Sequence, residues 1–162
     1  MENILILGIG NILMADDGVG VHVINYIKEN STPLPSNIDC IDGGTAGFDL
    51  LPFMQENERV IIIDALISEH KPGTIRQIPW NEISVSRSNV SLHQAGTGEL
   101  VQALSATQNV PVIDILAITV HDVTTVSMSC SPLVCAAIPR AAAMALRLAG
   151  VDNYIFDLSA TY

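Results

Sequence analysis

The stretch that decides the fold opens the chain and reads Asn3-Ile4-Leu5-Ile6-Leu7-Gly8-Ile9-Gly10-Asn11-Ile12-Leu13-Met14-Ala15-Asp16-Asp17-Gly18-Val19-Gly20. Residues 3–8 form an almost unbroken apolar run, which is typical of a strand buried on both faces of a parallel sheet. The glycines allow a sharp turn before a helix, and such a turn often holds a phosphate because a helix N-terminus attracts anions. Here Asp16 and Asp17 would repel a phosphate. The turn therefore favours a cation, a proton or a water molecule.

The composition narrows the class of protein. With 162 residues, 49% of them hydrophobic, the chain can bury one core, and we predict a single domain over residues 1–162. The net charge of −10 argues against nucleic acid, whose binding depends on Lys and Arg, and against anionic membranes. No apolar run reaches the ~18 residues of a membrane helix. No secretory leader is recognisable, so we expect a cytoplasmic protein.

The three cysteines, Cys40, Cys130 and Cys135, are odd in number and match no C-x-x-C or zinc spacing. We expect them to be buried free thiols in a reducing compartment. The sequence also lacks the G-x-S-x-G signature of a serine hydrolase. A nucleophilic serine or cysteine mechanism is therefore poorly supported.

Apolar runs and amphipathic segments alternate along the chain. Strands are predicted at residues 3–8, 37–41, 59–63, 74–78 and 112–120, and helices at 17–29, 48–54, 97–106 and from 131 to 150, the last one split at Pro139. This alternation predicts a three-layer α/β fold, with a mostly parallel twisted sheet of about five strands and helices on both faces. The strand at 74–78 is expected at an edge.

In such a sheet, sites form beyond the carboxyl ends of the strands, where the strand order reverses. Asp17 follows the first strand, Asp64 is expected to end the third, and His93 lies in the irregular segment 80–96. Each has an ordinary alternative as a helix cap, a solvated strand-end acid or an exposed loop residue. Together, two carboxylates and one imidazole are donors that suit Zn, Ni or Co and leave a position open. His121, next to Asp122, is a weaker candidate.

The second predicted strand ends in Asp42-Gly43-Gly44-Thr45-Ala46-Gly47. One interpretation is a tight turn between a strand and a helix. The other is a binding role, in which small residues let the backbone approach an extended peptide, with Asp42, Gly43, Gly44 and Thr45 contacting substrate. Both interpretations remain open at this point.

Four motifs occur in an order similar to that of the NiFe hydrogenase maturation proteases: G-I-G-N-I-L-M-A-D-D-G-V-G, D-G-G-T-A-G, I-I-I-D-A and S-L-H-Q-A-G. The resemblance implies an endopeptidase that removes the C-terminal extension of a hydrogenase large-subunit precursor after nickel insertion. It places the family's metal-contacting residues on Asp17, Asp64 and His93. It further implies nickel carried by the substrate, with Zn or Cd able to replace it in crystals. We expect a monomer.

Two other functions are compatible with parts of the sequence. A nucleotide-binding Rossmann-like module would explain Gly8 and Gly10 after a strand, but Leu13 occupies the third glycine position and two acids follow. A non-enzymatic nickel or zinc chaperone would use the same three ligands without cleaving a peptide. Retained nucleotide absorbance would favour the first function, and metal retention without cleavage would favour the second.

Overall fold

A computed structural model describes residues 1–31, 33–80, 91–92 and 97–152. Its strands are β1 Ile4–Ile9, β2 Ile38–Gly44, β3 Arg59–Ile67, β4 Ile75–Pro79, β5 Ser91–Leu92 and β6 Val112–Val120. Its α-helices are α1 Val19–Asn30, α2 Leu51–Gln55, α3 Thr97–Ser105, α4 Pro132–Cys135 and α5 Ile138–Leu148. Two 3-10 turns, Ala15–Gly18 and Gly47–Leu50, precede α1 and α2.

The main sheet has the strand order β2-β1-β3-β6-β4. β1 pairs in parallel with β2 and β3, and β3 pairs in parallel with β6. β4 is the antiparallel edge strand, and the short β5 pairs with the end of β3. The predicted α/β class, the mostly parallel sheet and the edge position of β4 are confirmed. From β1 the chain passes to β2 on one side, and it then returns to form β3 on the other side of β1. The strand order therefore reverses between β1 and β3.

Alternation along the strands divides the core between the two faces of the sheet. Ile4, Ile6, Ile61 and Ile63 pack with α1 and α5, whereas Leu5, Leu7, Val60 and Ile62 pack with α2 and α3. Burial on both faces explains why β1 and β3 read as continuous apolar runs. Helices on both faces are therefore confirmed.

Several predicted boundaries were wrong near the carboxyl ends of the strands. β2 continues through Asp42 and Gly43 to Gly44, because these residues still pair with the end of β1. β3 continues to Ile67 because β6 pairs with it along its whole length, so Asp64 lies inside the strand and does not end it. The predicted helix at 17–29 begins as a 3-10 turn, and Asp17 does not cap it.

The C-terminal helical segment follows the prediction. It is split into α4 and α5, and Pro139 lies in the first turn of α5, where a missing N–H costs nothing. Gly150, with φ of +79°, ends α5, and Val151 N–H donates to Leu146 O as in a Schellman motif. Among the described helices, none is long and apolar enough to span a membrane.

All three cysteines are free thiols, but only Cys130 is buried. Cys40 is half-buried and Cys135 is exposed, so the expectation of three buried thiols was wrong for Cys135. The reason is that Cys135 ends the short helix α4 on its exposed side, whereas Cys130 lies beneath the turn that precedes it.

Candidate active site

Two glycines bring α1 against the sheet at the point where the strand order reverses. A Cβ atom on Gly8 would lie 2.3 Å from Gly20 O, and one on Gly20 would lie 2.2 Å from Ile63 O. Neither position can accept a side chain without moving backbone. This close approach fixes the start of α1 over β1 and β3, and it holds the preceding 3-10 turn at the carboxyl ends of both strands.

The turn that carries the two acids begins with an unusual backbone conformation. Ala15 has φ of +44°, a region that residues with a Cβ rarely adopt. Its N–H donates to Ser127 O at 2.8 Å, and its carbonyl accepts a weak bond from Cys130 Sγ at 3.8 Å. Strain of this kind persists only where the surroundings impose it, which is common at functional sites.

The adjacent acids Asp16 and Asp17 are both buried but have different contacts. Asp16 accepts bonds from Ser131 N–H at 2.6 Å and Ser131 Oγ–H at 3.0 Å, so it joins the turn to the start of α4. The Asp17 Oδ2 atom accepts from Asn11 N–H at 2.9 Å, which turns its carboxylate back toward the glycine loop. Asp16 is therefore a structural residue, and Asp17 belongs to the candidate site.

Asp64 is completely buried on β3. Its Oδ1 atom accepts from Ala65 N–H at 2.8 Å, and its Oδ2 atom accepts from the Thr97 hydroxyl at 2.7 Å. Both donors are neutral, and neither compensates a full negative charge as a basic side chain would. Burial, the largest cause, and the negative charge of Asp17 raise the pKa of Asp64, whereas the two hydrogen bonds lower it; the net pKa is about 7.

The adjacency of β1 and β3, on which a shared site for Asp17 and Asp64 depends, is confirmed. β1 and β3 are neighbours, and the two carboxylates are close enough for the charge of Asp17 to oppose ionisation of Asp64. His93 lies outside the described residues. Within the described ranges, no group of three or more His, Cys, Asp or Glu side chains could hold a metal ion.

The donor set of the described residues fits a divalent cation that needs further ligands. Asp64, whose ionisation the charge of Asp17 opposes, would ionise more easily beside a cation, because an opposite charge favours the charged form. Carboxylate oxygens bind Zn and related metals, and two of them leave room for an imidazole and a water or substrate group. An anionic phosphate would meet unfavourable charge here, which argues against the nucleotide-binding alternative.

The glycine segment after β2 has a structural role that the sequence left open. Gly43 is buried, and a Cβ there would lie 2.8 Å from Leu7 Cδ1 and 3.0 Å from Gly8 O. Gly44, with φ of +46°, accepts the N–H of Gly10 at 3.0 Å, so the two glycine loops support each other. Asp42 and Thr45 are exposed at the same edge. Contact of Asp42, Gly43, Gly44 and Thr45 with substrate stays a prediction.

Sequence reasoning missed two residues that position the site. Thr97 is buried, and its hydroxyl donates a hydrogen bond to Asp64. The sequence indicated this role only weakly, because Thr97 starts a predicted helix directly after a polar segment. Ser131 is the N-cap residue of α4, but its hydroxyl donates to Asp16 and not to the backbone of its own helix. His121, the weaker candidate, is exposed and contacts the His70 carbonyl at 3.2 Å through Nε2.

Comparison with known proteins agrees with this geometry. A family model described as hydrogenase maturation protease matches residues 21–148, a range that includes Asp64 and begins after Asp17. The chain belongs to the hydrogenase maturation protease family. Two curated relatives of this family are similar over part of their length. They are the hydrogenase 2 maturation protease of Escherichia coli and the hydrogenase expression/formation protein HupD of Rhodobacter capsulatus.

The E. coli protein is 36% identical over 110 residues, which cover 67% of this chain and 66% of that protein. HupD is 38% identical over 102 residues, which cover 62% of this chain and 48% of HupD. The chain thus spans about half the length of HupD and about two thirds of the length of the E. coli protein.

Two solved structures of the family extend the likeness to most of the fold. The E. coli hydrogenase maturating endopeptidase HybD superposes with a TM-score of 0.77 at 30% identity, covering 91% of this chain and 94% of HybD. The Thermococcus kodakarensis NiFe hydrogenase maturation protease HybD gives 0.73 at 26% identity, covering 91% and 99%. The family assignment and the α/β fold therefore rest on independent comparisons.

Proposed function

We propose that this protein is an endopeptidase that removes the C-terminal extension of a NiFe hydrogenase large-subunit precursor after nickel has been inserted. One observation carries the proposal: Asp17 and Asp64 converge, buried, at the switch point of a fold shared with the maturation endopeptidases. The names of the relatives support the substrate class.

Asp17 and Asp64 would bind the nickel that the precursor carries, with His93 as the third ligand. In the free protein, burial and the charge of Asp17 oppose ionisation of Asp64. A nickel ion delivered at this point would favour the ionised form of Asp64. Binding of the precursor is therefore strongest when the metal is present, and the metal centre acts as a checkpoint for maturation.

Hydrolysis of the peptide bond requires a water molecule that loses a proton as it attacks the carbonyl carbon. Two groups can assist in this: a carboxylate at the site acting as general base, or the nickel ion lowering the pKa of the water. In the free protein the pKa of Asp64 is about 7, and a cation bound beside it would lower that pKa, so the carboxylate would be ionised during this step. Thr97 would hold Asp64 in position during this step.

The test incubates the protein with the apo precursor and with the nickel-loaded precursor, and mass spectrometry follows release of the C-terminal peptide. We expect release only from the loaded form. Nickel added to the protease in advance should not replace nickel in the precursor. Equal cleavage of both forms would contradict the checkpoint but not the protease activity. Retention of nickel with no cleavage of either form would favour the chaperone function.

A further inference from the structure

Exposed apolar side chains gather beside the candidate site, on the loop between β6 and α4. Val126 is 82% exposed and Met128 is 63% exposed, and Leu13 on the glycine loop is 52% exposed. Ser127, between the first two, pairs with Met14 in a parallel bridge, and its N–H donates to Leu13 O at 3.0 Å. The bridge therefore groups these three side chains, which we call the apolar rim.

Hydrogen bonds hold the apolar rim in a fixed relation to the acids of the site. Asp16 N–H donates to Asp122 O at 2.9 Å, and Ala15 N–H donates to Ser127 O at 2.8 Å. The Asp122 carboxylate accepts the N–H groups of Thr124 and Thr125, which folds the loop back on itself. A surface that is ordered before binding loses less entropy when a partner docks.

The location of the apolar rim next to the turn that carries Asp17 indicates what kind of partner it binds. The turn that carries Asp17 is hydrogen bonded to the loop of the apolar rim through Ala15 and Asp16, so a substrate whose peptide bond reaches Asp17 brings its neighbouring surface toward the rim. Large exposed apolar groups beside a cleft are characteristic of protein interfaces, whose buried centres exclude charged residues. The net charge of −10 disfavours an anionic membrane as the occupant.

We propose that Leu13, Val126 and Met128 form the docking surface for the folded body of the large-subunit precursor, around the base of its C-terminal extension. This inference rests on the proposed function and adds a second contact to it. The site recognises the metal and the scissile bond, and the apolar rim recognises the folded protein that carries them. The complementary surface on the precursor is apolar.

The test measures cleavage of the nickel-loaded precursor by Val126→Asp and Met128→Asp variants. We expect kcat/KM to fall by about tenfold or more for each, mainly through KM, as for a central interface side chain. Val110→Asp is the matched control, since Val110 is also an exposed valine in a loop but precedes β6, at the amino ends of the parallel strands and away from the site. It should stay within about twofold of the wild type.

Two further measurements distinguish a loss of docking from a loss of folding or of catalysis. Circular dichroism and the melting temperature report folding, and Met128→Gln provides a milder variant if an aspartate disturbs the loop. With the apo precursor, which we expect to remain uncleaved, surface plasmon resonance should show weaker binding to the Val126→Asp variant than to the wild type.

Rim variants that cleave and bind the precursor like the wild type would overturn the docking surface alone. Absence of cleavage by the wild type would overturn the proposed function, and the docking surface with it. A dimer of the free protein that dissociates on Val126→Asp, seen by analytical ultracentrifugation, would assign the rim to a second copy of this chain and also overturn the inference.

Discussion

The two ends of β3 handle negative charge in opposite ways. At its start, Arg59 contacts the Asp114 carboxylate of β6 at 3.3 Å, and Gln77 donates to the same carboxylate at 2.9 Å. Toward its other end, Asp64 is more deeply buried and receives only neutral donors, and no ion pair involves it among the described residues. The first arrangement places a basic partner beside the partly exposed carboxylate of Asp114. The second keeps a carboxyl group buried without a basic partner.

This difference is the reason that we propose a chemical role for Asp64 and not for Asp114. Burying a carboxylate without a countercharge is unfavourable, so the group raises its pKa, as Asp64 does. A sequence under selection for stability alone would place an apolar residue or a salt bridge there. Titratable groups perturbed by burial and by a like charge are typical of functional sites. The comparison therefore separates Asp64 from Asp114, although both lie on central strands.

The largest expected effect comes from replacing either acid of the candidate site. Asp17→Asn and Asp64→Asn should each reduce precursor cleavage by more than about a hundredfold, because loss of a direct metal ligand should exceed the effect of losing a residue that only supports one. Asp114→Asn is the control and should leave kcat/KM within about twofold, since it removes only a partly exposed ion pair. Cleavage rates are measured with the nickel-loaded precursor. Equal losses of cleavage activity in Asp64→Asn and Asp114→Asn would contradict the proposed difference between the two acids.

A smaller effect is expected at the residue that supports Asp64. Thr97→Val removes the hydroxyl that donates at 2.7 Å, and we expect a loss of about tenfold to a hundredfold in kcat/KM. Since this bond lowers the pKa of Asp64, the pH profile of kcat/KM should also shift upward. Thr97→Ser keeps the hydroxyl and should restore both quantities. A Thr97→Val protein with reduced activity but an unchanged pH profile would indicate a purely structural role.

The free energy of unfolding should depend on pH in a way that Asp64 explains. Its pKa is about 7 in the folded protein and 3.8 in the reference state, so between these values the unfolded chain has released the proton and the folded protein retains it. Stability attributable to Asp64 therefore falls as pH rises from about 4 to about 7. In Asp64→Asn this fall is absent, so the stability of the variant relative to the wild type should increase by up to about 1.4 kcal/mol per pH unit in that window.

Urea unfolding of both proteins at pH 5 and pH 8 measures this difference. Asp17→Asn provides the control for its cause, because removing the neighbouring charge should lower the pKa of Asp64 and weaken the pH dependence. Parallel pH curves for the wild type and Asp64→Asn would show that Asp64 is not held in its protonated form.

Much of this fold could be predicted from the sequence, because local pattern and topology point the same way. The apolar run at β1 indicated a strand buried on both faces, and the rules for parallel sheets then predicted one crevice for Asp17 and Asp64. Gly8 and Gly10 predicted the turn after β1. These inferences needed only residues close in sequence and a general rule of connection.

The remaining features depend on contacts between residues far apart in the chain. Nothing local distinguishes Asp16 from Asp17, and only the bond to Ser131, 115 residues away, assigns Asp16 to structure. The contact of Thr97 with Asp64 spans 33 residues and is equally hidden. The ends of β2 and β3 were misplaced because pairing with neighbouring strands extends them past the points at which glycine and aspartate normally interrupt a strand.

Anomalous diffraction from crystals soaked in Cd²⁺ tests the central claim most directly, since it locates a cation without relying on activity. We expect one strong peak at the carboxyl ends of β1 and β3, with the ion about 2.0–2.4 Å from carboxylate oxygens of Asp17 and Asp64 and from a ring nitrogen of His93. Crystals of Asp64→Asn should lose this peak, whereas crystals of Asp114→Asn should keep it. A peak elsewhere on the surface, or the same peak in Asp64→Asn, would contradict the assignment of the site.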